Sequence, residues 1–121
     1  MAHILIVDDS STYVNFLKRV LEKHGHQISI ASHGEEGVEK AKELLPDLVI
    51  MDIVMPGLNG FKATRRITHD SKTESIPVLI VSTKEMESDR TWGLLQGAKA
   101  FLVKPVKEEE LLETIKTLLS A

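Results

Sequence analysis

Four short apolar runs punctuate the chain: His3-Ile4-Leu5-Ile6-Val7, Leu48-Val49-Ile50-Met51, Val78-Leu79-Ile80-Val81 and Phe101-Leu102-Val103. Each is continuous rather than alternating and rich in branched side chains, the pattern of a strand in a parallel sheet covered on both faces. A fifth segment, His26-Gln27-Ile28-Ser29-Ile30-Ala31, alternates instead, which predicts an edge strand with one face partly wet. Helical periodicity fills the intervals. The first helix carries Val14, Leu17, Val20 and Leu21 on one stripe and stops at Gly25. The second spans roughly Glu35 to Leu44, closed by Pro46, which disfavours a helical Leu45. A third runs from about Gly60 to His69, with Phe61, Thr64 and Ile67 in register, and a fourth from about Met86 to Gln96, stopping at Gly97. The last opens on Glu108, Glu109 and Glu110, acids suited to a helix N-terminus, and buries Leu111, Leu112, Ile115, Leu118 and Leu119.

Strand and helix therefore alternate five times. Right-handed crossovers turn that order into an α/β fold, a doubly wound five-stranded parallel sheet, and an edge-like second strand fits the strand order 2-1-3-4-5. The 121 residues are enough for one core, so the expectation is a single domain over 1–121 with no output domain. A net charge of −3 and a hydrophobic share of 42% fit a folded, mildly acidic protein with no call for nucleic acid. No apolar run approaches a membrane span and no leader pattern precedes Asp8, so the expected location is cytoplasmic, without membrane insertion. With no cysteine, any chemistry must come from carboxylates, hydroxyls, lysines or histidines.

In such a sheet, ligands bind beyond the carboxyl ends of the strands. Those ends carry Asp8 and Asp9, Asp52, Ser82, and Lys104-Pro105. Two carboxylates 4 Å apart repel by about 4 kcal/mol at an effective dielectric near 20, so the cluster calls for a cation. Magnesium suits it, taking hard oxygen ligands from one or two carboxylates and completing its octahedron from waters, a main-chain carbonyl and phosphate. Lys104 supplies a second positive charge and Ser82 a hydroxyl. This set can support phosphoryl transfer to a carboxylate, which mainly needs alignment and charge neutralisation. Asp52, on the central strand, is the preferred nucleophile, with Asp8 and Asp9 as metal ligands.

Taken singly, the same residues have plainer readings. Asp8-Asp9-Ser10-Ser11 is a good helix start, Met55-Pro56-Gly57 and Asn59-Gly60 are ordinary loop formers, and Lys104-Pro105 is a solvated loop. Their order along the five strands favours the chemical reading. Trp92, beside Arg90 and Leu94, is read as a partially buried packing residue in preference to a partner anchor. The five histidines are scattered and are read as surface or edge residues.

Across its whole length the chain resembles the receiver domains of two-component response regulators. The resemblance rests on Ile6-Val7-Asp8-Asp9-Ser10, Met51-Asp52-Ile53-Val54-Met55-Pro56-Gly57-Leu58-Asn59-Gly60, Ile76 through Ser82, and Gly97-Ala98 followed by Lys104-Pro105. It implies a flavodoxin-like, CheY-like fold and a histidine kinase, CheA-like or other, as phosphodonor. Asp52 would be phosphorylated; Asp9, Asp52 and the Val54 carbonyl would bind Mg2+, with Asp8 acting largely through water. Ser82 and Lys104 would contact the phosphoryl oxygens, and Phe101 would take the place of the aromatic that changes rotamer. The Lys104-Pro105 bond would be cis. The stretch from Lys84 to Gly93 with Gln96-Gly97-Ala98 is similar to the PilG/PilH-type regulators of type IV pilus twitching, a chemotaxis-like system.

Several positions depart from the family pattern. Ser82 stands for the commoner threonine, β-branched Thr83 for a small residue, and Phe101 lacks a tyrosine hydroxyl and is expected to sit inward. Val54 and Lys84, with Thr83, fall where the lifetime of the acyl phosphate is tuned, and apolar Val54 predicts slow self-dephosphorylation. The expected activity is therefore self-phosphotransfer and autodephosphorylation only, coupled to an unidentified protein target through Arg90, Leu94, Phe101 and Val103 on the fourth helix and fifth strand, beside the fifth helix. The alternatives are a phosphate sink for a shared kinase and a magnesium-dependent phosphatase using an aspartyl phosphate. A flavin or nucleotide binder is disfavoured because no glycine-rich phosphate loop is present.

Overall fold

The computed structural model describes residues 1–121. Five strands, β1 (His3–Val7), β2 (Gln27–Ala31), β3 (Leu48–Met51), β4 (Val78–Ser82) and β5 (Ala100–Val103), alternate with helices α1 (Ser11–Lys23), α2 (Gly34–Leu44), α3 (Gly60–Thr68), α4 (Glu87–Leu95) and α5 (Glu108–Ser120). All pairings are parallel, in the order β2-β1-β3-β4-β5. No helix is long and apolar enough to cross a membrane.

The continuous apolar runs are explained by two cores, one on each face. Leu5, Val7, Val49, Met51, Val78, Ile80 and Phe101 point to one side and meet Val38 and Ala41 of α2 and Ala63 and Ile67 of α3. The intervening residues Ile4, Ile6, Leu48, Ile50, Leu79 and Val81 point to the other and meet the α1 stripe with Leu111 and Ile115 of α5. Since strand side chains alternate, only a strand buried on both faces has no polar position to spare. β2 lies at the sheet edge, and its Ile28 and Ile30 are only partly buried.

Helix ends follow local chemistry. The side chains of Ser10, His33 and Asn59 accept hydrogen bonds from free amides of the first turns of α1, α2 and α3. Leu45 closes α2 in the left-handed region at φ 47°, ahead of Pro46. α3 begins hard against the sheet: a Cβ on Gly60 would stand 1.9 Å from the Asp52 carbonyl oxygen, so only glycine fits there.

Two expectations about burial need correction. Of the α5 leucines, Leu112, Leu118 and Leu119 are only partly buried; Leu111 and Ile115, one helical turn apart, form the inner line. Trp92, expected to be partly buried in packing, is 53% exposed. The inward residue of α4 is Gly93, whose Cβ position is 2.8 Å from Ile80 Cδ1 and 3.2 Å from the Phe101 ring. With a residue advance of about 100°, a helix seated on Gly93 turns Trp92 away from the sheet.

Candidate functional site

The sheet carries the acidic residues to one edge by extending its hydrogen-bond ladder past the strands. Val7 pairs with Met51, and the next residues along continue the pattern: the Asp52 amide donates to the Val7 carbonyl at 2.9 Å and the Asp8 amide to the Ala31 carbonyl at 3.1 Å. Likewise Ser82 pairs with Val103, and the Lys104 amide donates to the Ser82 carbonyl at 2.8 Å. Asp8, Asp52 and Lys104 are thus fixed at their backbones by rigid elements before any side-chain contact forms.

Their side chains converge. The Lys104 ammonium lies 2.8 Å from Asp8 Oδ2 and 3.6 Å from Asp52 Oδ1. One carboxylate oxygen from each of Asp8, Asp9 and Asp52 lies within 4.8 Å of the other two. Asp8 and Asp52 are buried, whereas Asp9 is open to solvent. Both Asp8 oxygens are engaged, Oδ1 by the Ser10 amide at 2.9 Å and Oδ2 by Lys104. Hence the helix-start and chemical readings of this segment coexist: Ser10 caps α1 through its Oγ while its amide anchors Asp8.

Burial, and after it the negative charge of Asp8, push the Asp52 carboxyl from 3.8 up to about 6, with Lys104 pulling the other way. One lysine does not offset three close carboxylates, and a hard divalent cation among their oxygens fits both the charge excess and the donor set. Asp9 and Asp52 are the more available carboxylates for it, since each Asp8 oxygen already accepts from one donor, the Ser10 amide or Lys104.

Around this centre, Ser82 is fully buried and its Oγ accepts from the Lys84 amide at 3.3 Å. Val54 stands 57% exposed on the loop after Asp52, and Thr83 and Lys84 are also exposed. The Lys84 ammonium lies 3.9 Å from Asp89. Phe101 is buried against Gly93, inward as expected, and the Arg90 guanidinium donates to its carbonyl at 3.1 Å. Leu94 is 41% exposed and Val103 partly buried. The Lys104-Pro105 bond is cis.

Tyr13 was not legible as a site residue. Its ring lies beneath the Lys104 ammonium, 4.3 Å from the centroid, and its hydroxyl accepts from the Val106 amide at 3.1 Å. It touches the cation and the turn that carries it. The only cue in the sequence is a lone tyrosine in the helical turn after the acid pair, and nothing local points to a partner 93 positions away.

Residues 4–116 match the response regulator receiver domain family model. The chain is 57% identical to Protein PilH of Pseudomonas aeruginosa, over 99% of each chain. Longer response regulators are matched over 26% to 53% of their own length. Among solved structures, the chain is similar to the Vibrio cholerae chemotaxis protein CheY4, with a TM-score of 0.91 and 30% identity over 98% of both chains. It is also similar to the receiver domain of a sensor histidine kinase from Pseudomonas aeruginosa that has a magnesium ion coordinated in its active-site cleft. There the TM-score is 0.92 at 25% identity, covering 99% of this chain and 98% of that one.

Proposed function

The chain belongs to the response regulator receiver domain family, and from that premise we propose that it is a phosphoacceptor switch in which Asp52 takes a phosphoryl group from a histidine kinase. The observation that carries this reading is the Lys104 ammonium held between Asp8 and Asp52 at the carboxyl edge of the sheet. In the transfer, an Asp52 carboxylate oxygen forms the new P–O bond as the P–N bond to the donor histidine breaks. Lys104, already 3.6 Å from the nucleophile, neutralises charge on the phosphoryl oxygens, and the Ser82 hydroxyl donates to one of them. Asp9, Asp52 and the Val54 carbonyl would hold Mg2+, with Asp8 contributing through water, and the ion would supply further positive charge at the transferring group.

The likeness to Protein PilH over the full chain supports a place in pilus motility signalling, and the magnesium-bearing receiver supports the choice of metal. Output is assigned to the α4–β5–α5 face. Arg90, Leu94, Phe101 and Val103 lie there, and the Arg90 bond to the Phe101 carbonyl ties α4 to the strand that leads to Lys104. The module acts on itself and turns over no external metabolite.

Asp52→Asn removes the nucleophile while keeping its shape. Labelling by a kinase or by acetyl phosphate with Mg2+ should be abolished in that variant and retained in Asp9→Asn only at raised Mg2+. Unchanged labelling of Asp52→Asn, followed by mass spectrometry, would overturn the assignment.

A further inference from the structure

α4 has two working flanks. Arg90 and Leu94 lie on the one toward β5, whereas Trp92 and Gln96, each two residues further on and thus rotated by about 200°, lie on the one toward α3. On that second flank Trp92 and Gln96 face Asn59, Phe61, Lys62 and Arg65 across a groove of about 470 Å³. Lys62 and Arg65 also line a hollow of about 450 Å³ on the other side of α3, together with Lys42, Arg66 and His69.

Lys62, Arg65, Arg66 and His69 recur at i, i+3, i+4 and i+7, so they form one band along α3, roughly 10 Å long. In a chain of net charge −3 this is a local concentration of positive charge. It is also largely unanswered: Lys42 pairs with Asp70 at 3.2 Å, but Lys62, Arg65 and Arg66 make no ion pair. Beside it stands an apolar shelf. Phe61 is partly buried against the core, and Trp92, the sole tryptophan, is 53% exposed. Exposed cations alone describe a solvated helix; cations without partners beside an exposed tryptophan describe a recognition surface.

We propose that the α3–α4 groove docks an extended acidic segment of a protein partner, with carboxylates on Lys62 and Arg65 and an apolar side chain against Trp92 and Phe61. Alternate residues of an extended segment are about 6.7 Å apart, so two or three acids match the band. A short segment is favoured over nucleic acid, because a longer polyanion leaving the band would run onto an acidic protein whose Asp8, Asp9 and Asp52 lie at the carboxyl edge of the same sheet. This surface is separate from the α4–β5–α5 face and needs no phosphoryl group on Asp52.

Trp92 provides the readout. A capped octapeptide of alternating glutamate and leucine should shift Trp92 emission to shorter wavelength, with affinity falling as salt rises. The double variant Lys62→Glu/Arg65→Glu, altering only exposed side chains, should weaken binding about tenfold or more. Trp92→Ala, followed by calorimetry, should weaken it too, and Asp52→Asn should bind as wild type does. The proposal is overturned if the peptide produces no saturable change at low salt, or if a lysine-leucine counterpart binds equally. It is equally overturned if the charge reversal leaves affinity unchanged, or if inorganic pyrophosphate alone saturates the signal at the peptide's midpoint. Loss of labelling chemistry in Asp52→Asn with peptide binding intact separates this surface from the phosphoacceptor reading.

Discussion

Lys104 is held from three sides, by Asp8 at 2.8 Å, by Asp52 at 3.6 Å and by the Tyr13 ring at 4.3 Å. The carboxylates attract the ammonium, and the Tyr13 ring face adds a third contact that helps fix its position. A cation over an aromatic face is stabilised by about 0.5–2 kcal/mol depending on solvent exclusion. The Tyr13 hydroxyl adds a second, separable contact by accepting from the Val106 amide. Two substitutions divide these roles. Tyr13→Phe keeps the ring and loses one hydrogen bond, so it should label at nearly the wild-type rate and lose about 1 kcal/mol of stability. Tyr13→Leu removes the ring face as well and should slow labelling by acetyl phosphate beyond any change that urea unfolding reports. Wild-type labelling rates in Tyr13→Leu would confine the residue to packing.

At the scale of elements, the clearest unfavourable local choice is Leu45, left-handed at φ 47° yet 57% exposed. A side chain in that region costs roughly 1–2 kcal/mol, part of which glycine forfeits through its freer unfolded chain. Leu45→Gly should therefore raise stability by about 0.5–1 kcal/mol in urea unfolding. The sequence marked this boundary because Pro46 disfavours a helical predecessor, but it could not say that the chain would turn left-handed there. Strands β1, β3 and β4 were readable because both faces are buried, leaving runs with no polar interruption. Asp8, Asp52, Ser82 and Lys104 were readable because the strand ends place them. Tyr13 was not, since its partners come from the far end of the chain. Trp92 was misread because the apolar residues Met86, Trp92, Leu94 and Leu95 form no stripe, and the residue that seats α4 is a glycine, which carries no hydrophobic signal.

For the whole molecule, the sheet that organises this site also makes it costly to the fold. Asp52 titrates near 6 in the folded protein and near 3.8 when its surroundings are removed. Between those values the folded chain binds a proton that the unfolded chain has released, so stability falls as pH rises from about 4 to about 6. Above that window the whole penalty is present, at most about 3 kcal/mol. Asp52→Asn removes the charge without emptying the site. In metal-free buffer it should be more stable than wild type by about 1–3 kcal/mol at pH 7.5, with the difference closing near pH 4, where both side chains are neutral. Millimolar Mg2+ should also narrow the gap at pH 7.5, because a cation that binds only the folded wild-type cluster stabilises it by mass action. Urea midpoints of both proteins at the two pH values, with and without Mg2+, measure all three effects. A gap that persists undiminished at pH 4 would place the cost in packing around residue 52 rather than in its charge. A gap that closes there would mean that the fold holds Asp52 ionised against its surroundings, a cost that bound Mg2+ then relieves.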